Sequence, residues 1–127
     1  TIEHGTRLDE EAIAPWKKAK TVLVPTLCTL YSVLELGEKF GVPAKMVSEM
    51  RINEPLWLQS LKMAREAGVT IAAGADIGNR YAQGENAKEI VFLAERGGLS
   101  PISIGTSVPV LRRPNRSRPA PMARVFG

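Results

Sequence analysis

Val69-Thr70-Ile71-Ala72-Ala73-Gly74-Ala75-Asp76 is the stretch that decides the fold class. It is uncharged up to its last residue, opens on Val, Thr and Ile, and follows Gly68, which suits the stop of a helix. A short apolar run bounded in this way reads as a strand covered on both faces, the kind found in parallel sheets. A run of the same character lies upstream, Thr21-Val22-Leu23-Val24-Pro25-Thr26-Leu27, with Pro25 at the strand's end rather than its middle. A third strand is cut to Thr1-Ile2-Glu3 ahead of His4 and Gly5, as though the chain began inside a structure.

Helical stretches separate these runs. Asp9 before Glu10-Glu11-Ala12-Ile13 is an N-cap followed by first-turn acids, and Lys17, Lys18 and Lys20 supply cations at the far end. Pro15 is expected to kink that helix or restart the turn. Residues 30–40 read as helical up to Gly41, and residues 43–67 as one or two helices with Pro55 at the break. Leu56, Leu58, Leu61, Met63 and Ala64 give the latter its apolar surface. A last helix is expected over 85–96, with Ala87, Ile90, Val91, Leu93 and Ala94 as its buried stripe. Alternating strands and helices predict an α/β fold built on a parallel sheet. The 127 residues suffice for one modest domain and fall short of a complete eight-stranded barrel.

Composition narrows the partners. Hydrophobic residues at 44% and charged residues at 24% are ordinary for a globular domain. No run reaches the length of a membrane span, and Thr1 to Gly5 show no signal pattern, so no membrane partner is expected. Cys28, the single cysteine, excludes an intrachain disulfide and a cysteine-built zinc site, and it favours a cytoplasmic setting. It is expected to be a small buried thiol. The net charge of +4 invites a nucleic-acid reading, but residues 1–100 carry twelve Lys or Arg against thirteen Asp or Glu. The excess belongs to residues 101–127, with five Arg and no acid. That tail lacks aromatics at its basic core, so nucleic acid ranks last among partners, and residues 105–127 are expected to be irregular or disordered.

His4 and Asp76 stand out because each follows a strand and precedes a loop. In parallel α/β architectures, functional groups gather at the carboxyl ends of strands. An imidazole and a carboxylate converging there can bind zinc or a similar divalent ion, and the carboxylate can take a proton from water activated beside it. The same positions also suit a hydrogen-bonded structural histidine and a turn-forming aspartate, so position alone leaves function open.

Four strings sharpen this: Ile2-Glu3-His4-Gly5-Thr6; Val24-Pro25-Thr26-Leu27; Ala67-Gly68-Val69 with Gly74-Ala75-Asp76; and Gly84-Glu85-Asn86-Ala87-Lys88-Glu89. In this order the chain resembles the amidohydrolase superfamily over about residues 1–104, and within it the imidazolonepropionase-related and Xaa-Pro or arginine-type peptidase branch. The resemblance implies a partial TIM (β/α)8 barrel covering about strand 6 to helix 8, followed by the irregular tail. It implies that His4 is a metal ligand and that Asp76 is both ligand and catalytic proton shuttle. Zinc is the expected ion, one or two in number, and a small peptide or amide (or cyclic amide) the expected substrate. The family's remaining ligands, a His-x-His pair, often a carboxylated lysine, and a further histidine, lie on earlier strands; His4 is the only histidine here. The expectation is therefore a fragment of a metal-dependent amidohydrolase, inactive alone, whose partner is the missing N-terminal part of the barrel. An oligomer is compatible with this.

Two departures bear on the site. Gln83 stands where members of the branch often carry a histidine before the loop motif, and Ala75 replaces a threonine or serine before the aspartate. Gln83 and Asn86 are the substrate-binding candidates, although capping or bracing the last helix is the preferred reading for Asn86. Beyond Pro101 the family continues with a helix and a small β-domain, so a shifted or truncated reading frame is expected here. The competing function is a non-catalytic small α/β ligand-binding module. Such a module should be monodisperse and fold cooperatively, whereas strands cut from a barrel expose two edges.

Overall fold

A computed structural model describes residues 1–78 and 80–100 of the chain. The expected tail, 105–127, and the last residues of the expected barrel portion lie outside the described residues. Among the described residues, three short strands, β1 (Ile2–Glu3), β2 (Val22–Val24) and β3 (Thr70–Ile71), form one sheet in that order, both pairs parallel. Register sets Ile2 against Leu23, Glu3 against Val24, Val22 against Thr70 and Leu23 against Ile71. The regular strands are shorter than the apolar runs that announce them. Pairing reaches one residue further on each edge strand, through His4 N–H to Val24 O and Ala72 N–H to Leu23 O, both 2.9 Å.

Among the described residues, four α-helices connect and cover the sheet: α1 (Glu10–Lys18), α2 (Leu27–Leu36), α3 (Ala44–Glu66) and α4 (Lys88–Glu95), the last led in by a 3-10 turn at Glu85–Ala87. The mixed α/β class with a parallel sheet matches the expectation. Leu23 on the central strand, Leu27 and Leu30 on α2, Leu61 on α3 and Leu93 on α4 are at most 1% exposed. Each contributes about 1.5–3 kcal/mol by leaving water. Asp9 caps α1 as expected, its carboxylate accepting from Ala12 N–H at 2.8 Å. Among the described residues, no helix is long and apolar enough to cross a membrane.

Three expectations need correction. First, Pro55 does not break its helix: α3 runs through it as one helix, and α1 likewise continues through Pro15 without restarting. Pro55 leaves Arg51 O without its helical donor, but both residues are exposed, so water can take that place. Trp57, Ser60, Leu61 and Ala64 bury the following turns and keep the helix continuous. Second, α2 begins at Leu27, directly off the strand, rather than near Leu30. Third, the buried stripe of α4 is Glu89, Phe92 and Leu93, while Ile90 and Val91 are 43% and 48% exposed. A buried charge has turned this helix relative to its apolar pattern.

Candidate functional site

The chain takes a left-handed turn as it leaves each strand. His4 after β1 has φ 66°, Thr26 after β2 has φ 53°, and Asp76 beyond β3 has φ 44°. Only Lys20 joins them among described non-glycine residues with positive φ. Such backbone costs of order 1–3 kcal/mol per residue, aspartate tolerating it best and a β-branched threonine least. Its repetition at one end of a parallel sheet marks that rim as the place where side-chain direction matters most. Close packing reinforces it: a Cβ on Gly74 would lie 2.5 Å from Val24 Cγ1, so the segment carrying Asp76 can approach β2 this closely only with glycine there.

Both predicted site residues are anchored to the first turn of α2. His4 Nδ1 lies 2.5 Å from Thr26 Oγ1. Thr29 Oγ1 donates to Asp76 Oδ2 at 3.2 Å, at the long end of hydrogen bonding, and lies 3.4 Å from Asp76 O. Thr26 and Thr29 are themselves joined, Thr29 N–H to Thr26 O at 2.9 Å. Among the described residues no direct hydrogen bond links His4 and Asp76. They share this helix start instead. Trp57 meets the His4 ring edge-on, with ring centres 6.2 Å apart.

The turn that holds them is capped from an unexpected direction. Thr26 makes no side-chain cap of its own helix. Glu89 on α4, 1% exposed, accepts from Leu27 N–H at 2.9 Å and Cys28 N–H at 2.8 Å. A carboxylate on the positive end of a helix is favourable, yet burial dominates and raises its pKa above the ordinary value. The same burial, with Glu89 beside it, pushes the Cys28 thiol up to about 12, so it is a protonated packing group, as expected. Glu89 also fills the N-terminus of α2, which leaves no anion site there.

Asp76, Gln83 and Asn86 line one cleft of about 630 Å³, together with Gly74, Ile77 and Ile90. Asp76 is exposed at its wall. Both substrate-binding candidates from the sequence thus lie beside the predicted catalytic carboxylate. His4 is not part of that lining; it sits across β2, behind Thr26.

No protein-family model matches the chain. Curated relatives do: the uncharacterized protein Rv2915c of Mycobacterium tuberculosis strain H37Rv and its counterpart Mb2939c of Mycobacterium bovis are each 32% identical over 106 residues. The match takes in 84% of this chain but spans only 29% of those relatives. Among solved structures, Aspergillus niger ochratoxinase superposes with a TM-score of 0.62 at 29% identity, over 83% of this chain and 23% of that one. A candidate prolidase from Bifidobacterium longum superposes at 0.70 and 26% identity, over 80% and 27%. The fold is amidohydrolase-like.

Within this amidohydrolase-like sheet, sequence reasoning missed Thr26, Thr29 and Glu89. One signal was present: Glu89 falls three and four residues before Phe92 and Leu93, in phase with the side of α4 that faces inward. For a metal, an imidazole and a carboxylate are donors that suit zinc, so the chemistry of the pair fits. Their number falls short, since among the described residues no group of three or more His, Cys, Asp or Glu could hold an ion.

Proposed function

We propose that the chain forms part of a metal-dependent hydrolase of amide or peptide bonds, in the imidazolonepropionase-related or Xaa-Pro and arginine-type peptidase branch. In this reading it supplies about strand 6 to helix 8 of a (β/α)8 barrel. The observation that carries it is the anchoring of His4 and Asp76 to one helix turn, through Thr26 and Thr29, at the carboxyl ends of a parallel sheet. The likeness to an ochratoxinase and a candidate prolidase supports the hydrolase class.

His4 and Asp76 would hold the ion, zinc by donor type, with the remaining ligands coming from sequence outside these residues. The bound ion would supply a Lewis acid that lowers the pKa of water toward neutrality. The chain's own part is positioning and proton transfer. Thr29 engages Asp76 Oδ2, while Oδ1 has no hydrogen-bond partner among the described residues. Asp76 takes the proton of the attacking water and returns it to the leaving nitrogen. Gln83 and Asn86 present amide groups that pair with the substrate's own amide, and Ile77 and Ile90 give the cleft an apolar wall for a small side chain.

The test compares zinc-supplemented hydrolysis of a panel of dipeptides and acylated amino acids by the 127-residue chain and by the chain fused behind the upstream portion of a longer relative. The chain alone turns over nothing. The fusion is active, and Asp76→Asn lowers its kcat by about 10²–10⁴-fold. A fusion whose turnover survives Asp76→Asn overturns the assignment.

A further inference from the structure

We infer that Thr26 is a positioning residue that fixes the tautomer of His4 and turns its Nε2 lone pair outward. The inference deepens the function proposed above, since a histidine must be neutral and present a bare nitrogen to hold an ion. Its basis is the proton count along one short chain of hydrogen bonds.

Pro25 O has two lone pairs and two neighbours. Trp57 Nε1–H donates to it at 3.0 Å, and Thr26 Oγ1 lies 2.7 Å away. The local backbone brings these two oxygens of adjacent residues together, a hydroxyl proton between them relieves their repulsion, and a carbonyl has none to give. The single hydroxyl proton of Thr26 is therefore spent on Pro25 O. Thr26 is 2% exposed, which denies its oxygen a water partner. What remains on that oxygen is acceptor capacity, and the group facing it at 2.5 Å is His4 Nδ1. Nδ1 must carry the hydrogen. In a neutral imidazole Nε2 then holds the lone pair, and among the described residues nothing occupies it.

The opposite assignment, with Thr26 donating to Nδ1, leaves two oxygens in short contact with no hydrogen between them. The backbone is consistent with the first arrangement. Thr26 keeps a left-handed conformation that costs a β-branched residue most, and it does not cap its own helix. Its hydroxyl is committed elsewhere, and Glu89 performs the capping.

His4 is the only histidine in the chain, so selective ¹⁵N-histidine labelling yields one pair of ring nitrogens and no assignment problem. The experiment is a long-range ¹H–¹⁵N spectrum of the 127-residue chain at alkaline pH, with the ring neutral. The expected result is a protonated Nδ1 and a bare Nε2 in wild type and in Thr26→Ser, which keeps the hydroxyl. Thr26→Val should move the tautomer ratio away from the Nδ1–H form by about tenfold, the worth of one lost hydrogen bond. Wild type in the Nε2–H form, or a Thr26→Val spectrum identical to wild type, overturns the inference. Should Thr26→Val fail to fold, wild type and Thr26→Ser decide alone. Zinc added to the fusion with the upstream portion, with only its 127-residue segment ¹⁵N-histidine-labelled, separates the two readings. If Nδ1 carries the proton and zinc leaves Nε2 unmoved there, the role of Thr26 stands and metal ligation by His4 falls.

Discussion

The Glu89 carboxyl, wedged between α4 and the first turn of α2, binds a proton more tightly in the folded chain than an ordinary carboxylate does. A carboxyl whose folded pKa is raised works against stability as pH climbs. The folded chain holds the proton where the unfolded chain has released it. Stability from this group is fully present below the unfolded value of about 4.3 and is lost as pH rises through the raised folded value. We expect Glu89→Gln to remove that part of the pH dependence of the urea midpoint. At neutral pH the amide also turns an N–H2 toward a backbone N–H, at a cost of about 1–3 kcal/mol. Equal pH slopes for the two proteins would sink the assignment. At this scale the sequence was partly legible. Asp76, Gln83 and Asn86 come to one cleft, and the order of motifs pointed to them. Glu89 was legible only in its phase with Phe92 and Leu93, because a glutamate between Lys88 and Ile90 otherwise looks like any solvated helical charge until its two backbone partners from a distant turn are known. Thr26 was hidden differently, as one more β-branched residue in an apolar run.

Among the elements, α3 carries the clearest energetic oddity. Its 23 residues include Pro55 near the middle, where local propensity is poorest. Tyr31 O–H donates to Glu54 Oε1 at 2.9 Å on one side of the proline, and Trp57 is buried on the other. Tertiary contacts thus hold a helix that its own sequence would interrupt. Pro55→Ala restores the donor to Arg51 O and should raise stability by about 1–2 kcal/mol, the helix gain being offset in part by a freer unfolded chain. Thermal denaturation checks this. An unchanged or lowered midpoint would mean that the proline sets a bend the packing needs. The misread phase of α4 has the same origin. Ile90 and Val91 look like core residues by hydropathy, but pairing Glu89 with α2 turns them outward, and Ile90 becomes a wall of the cleft. Strand existence and order were legible; strand length was not, because the apolar runs continue past the ladder into the turns that carry His4, Thr26 and Asp76.

For the molecule as a whole, the sheet order β1-β2-β3 leaves β1 and β3 with one strand neighbour each among the described residues. Parallel strands are ordinarily covered on both sides, and free edges are templates for pairing with other chains. Phe40, Met46, Ile52, Leu56, Ile90 and Val91 add apolar surface between 39% and 70% exposed. The isolated 127-residue chain is therefore expected to self-associate, with an apparent mass by light scattering that rises with concentration. A single monomeric mass from micromolar to millimolar would favour the free-standing ligand-binding module instead.

The left-handed turns after the three strands have a consequence for any effort to improve this chain. Glycine would relieve the backbone at His4, Thr26 or Asp76, whereas a side chain there is sustained against its own conformational preference. A screen that rewards heat tolerance alone would therefore drift toward glycine along this rim, and the sturdiest variants it returned would be those stripped of the side chains proposed to hold the ion and move the proton.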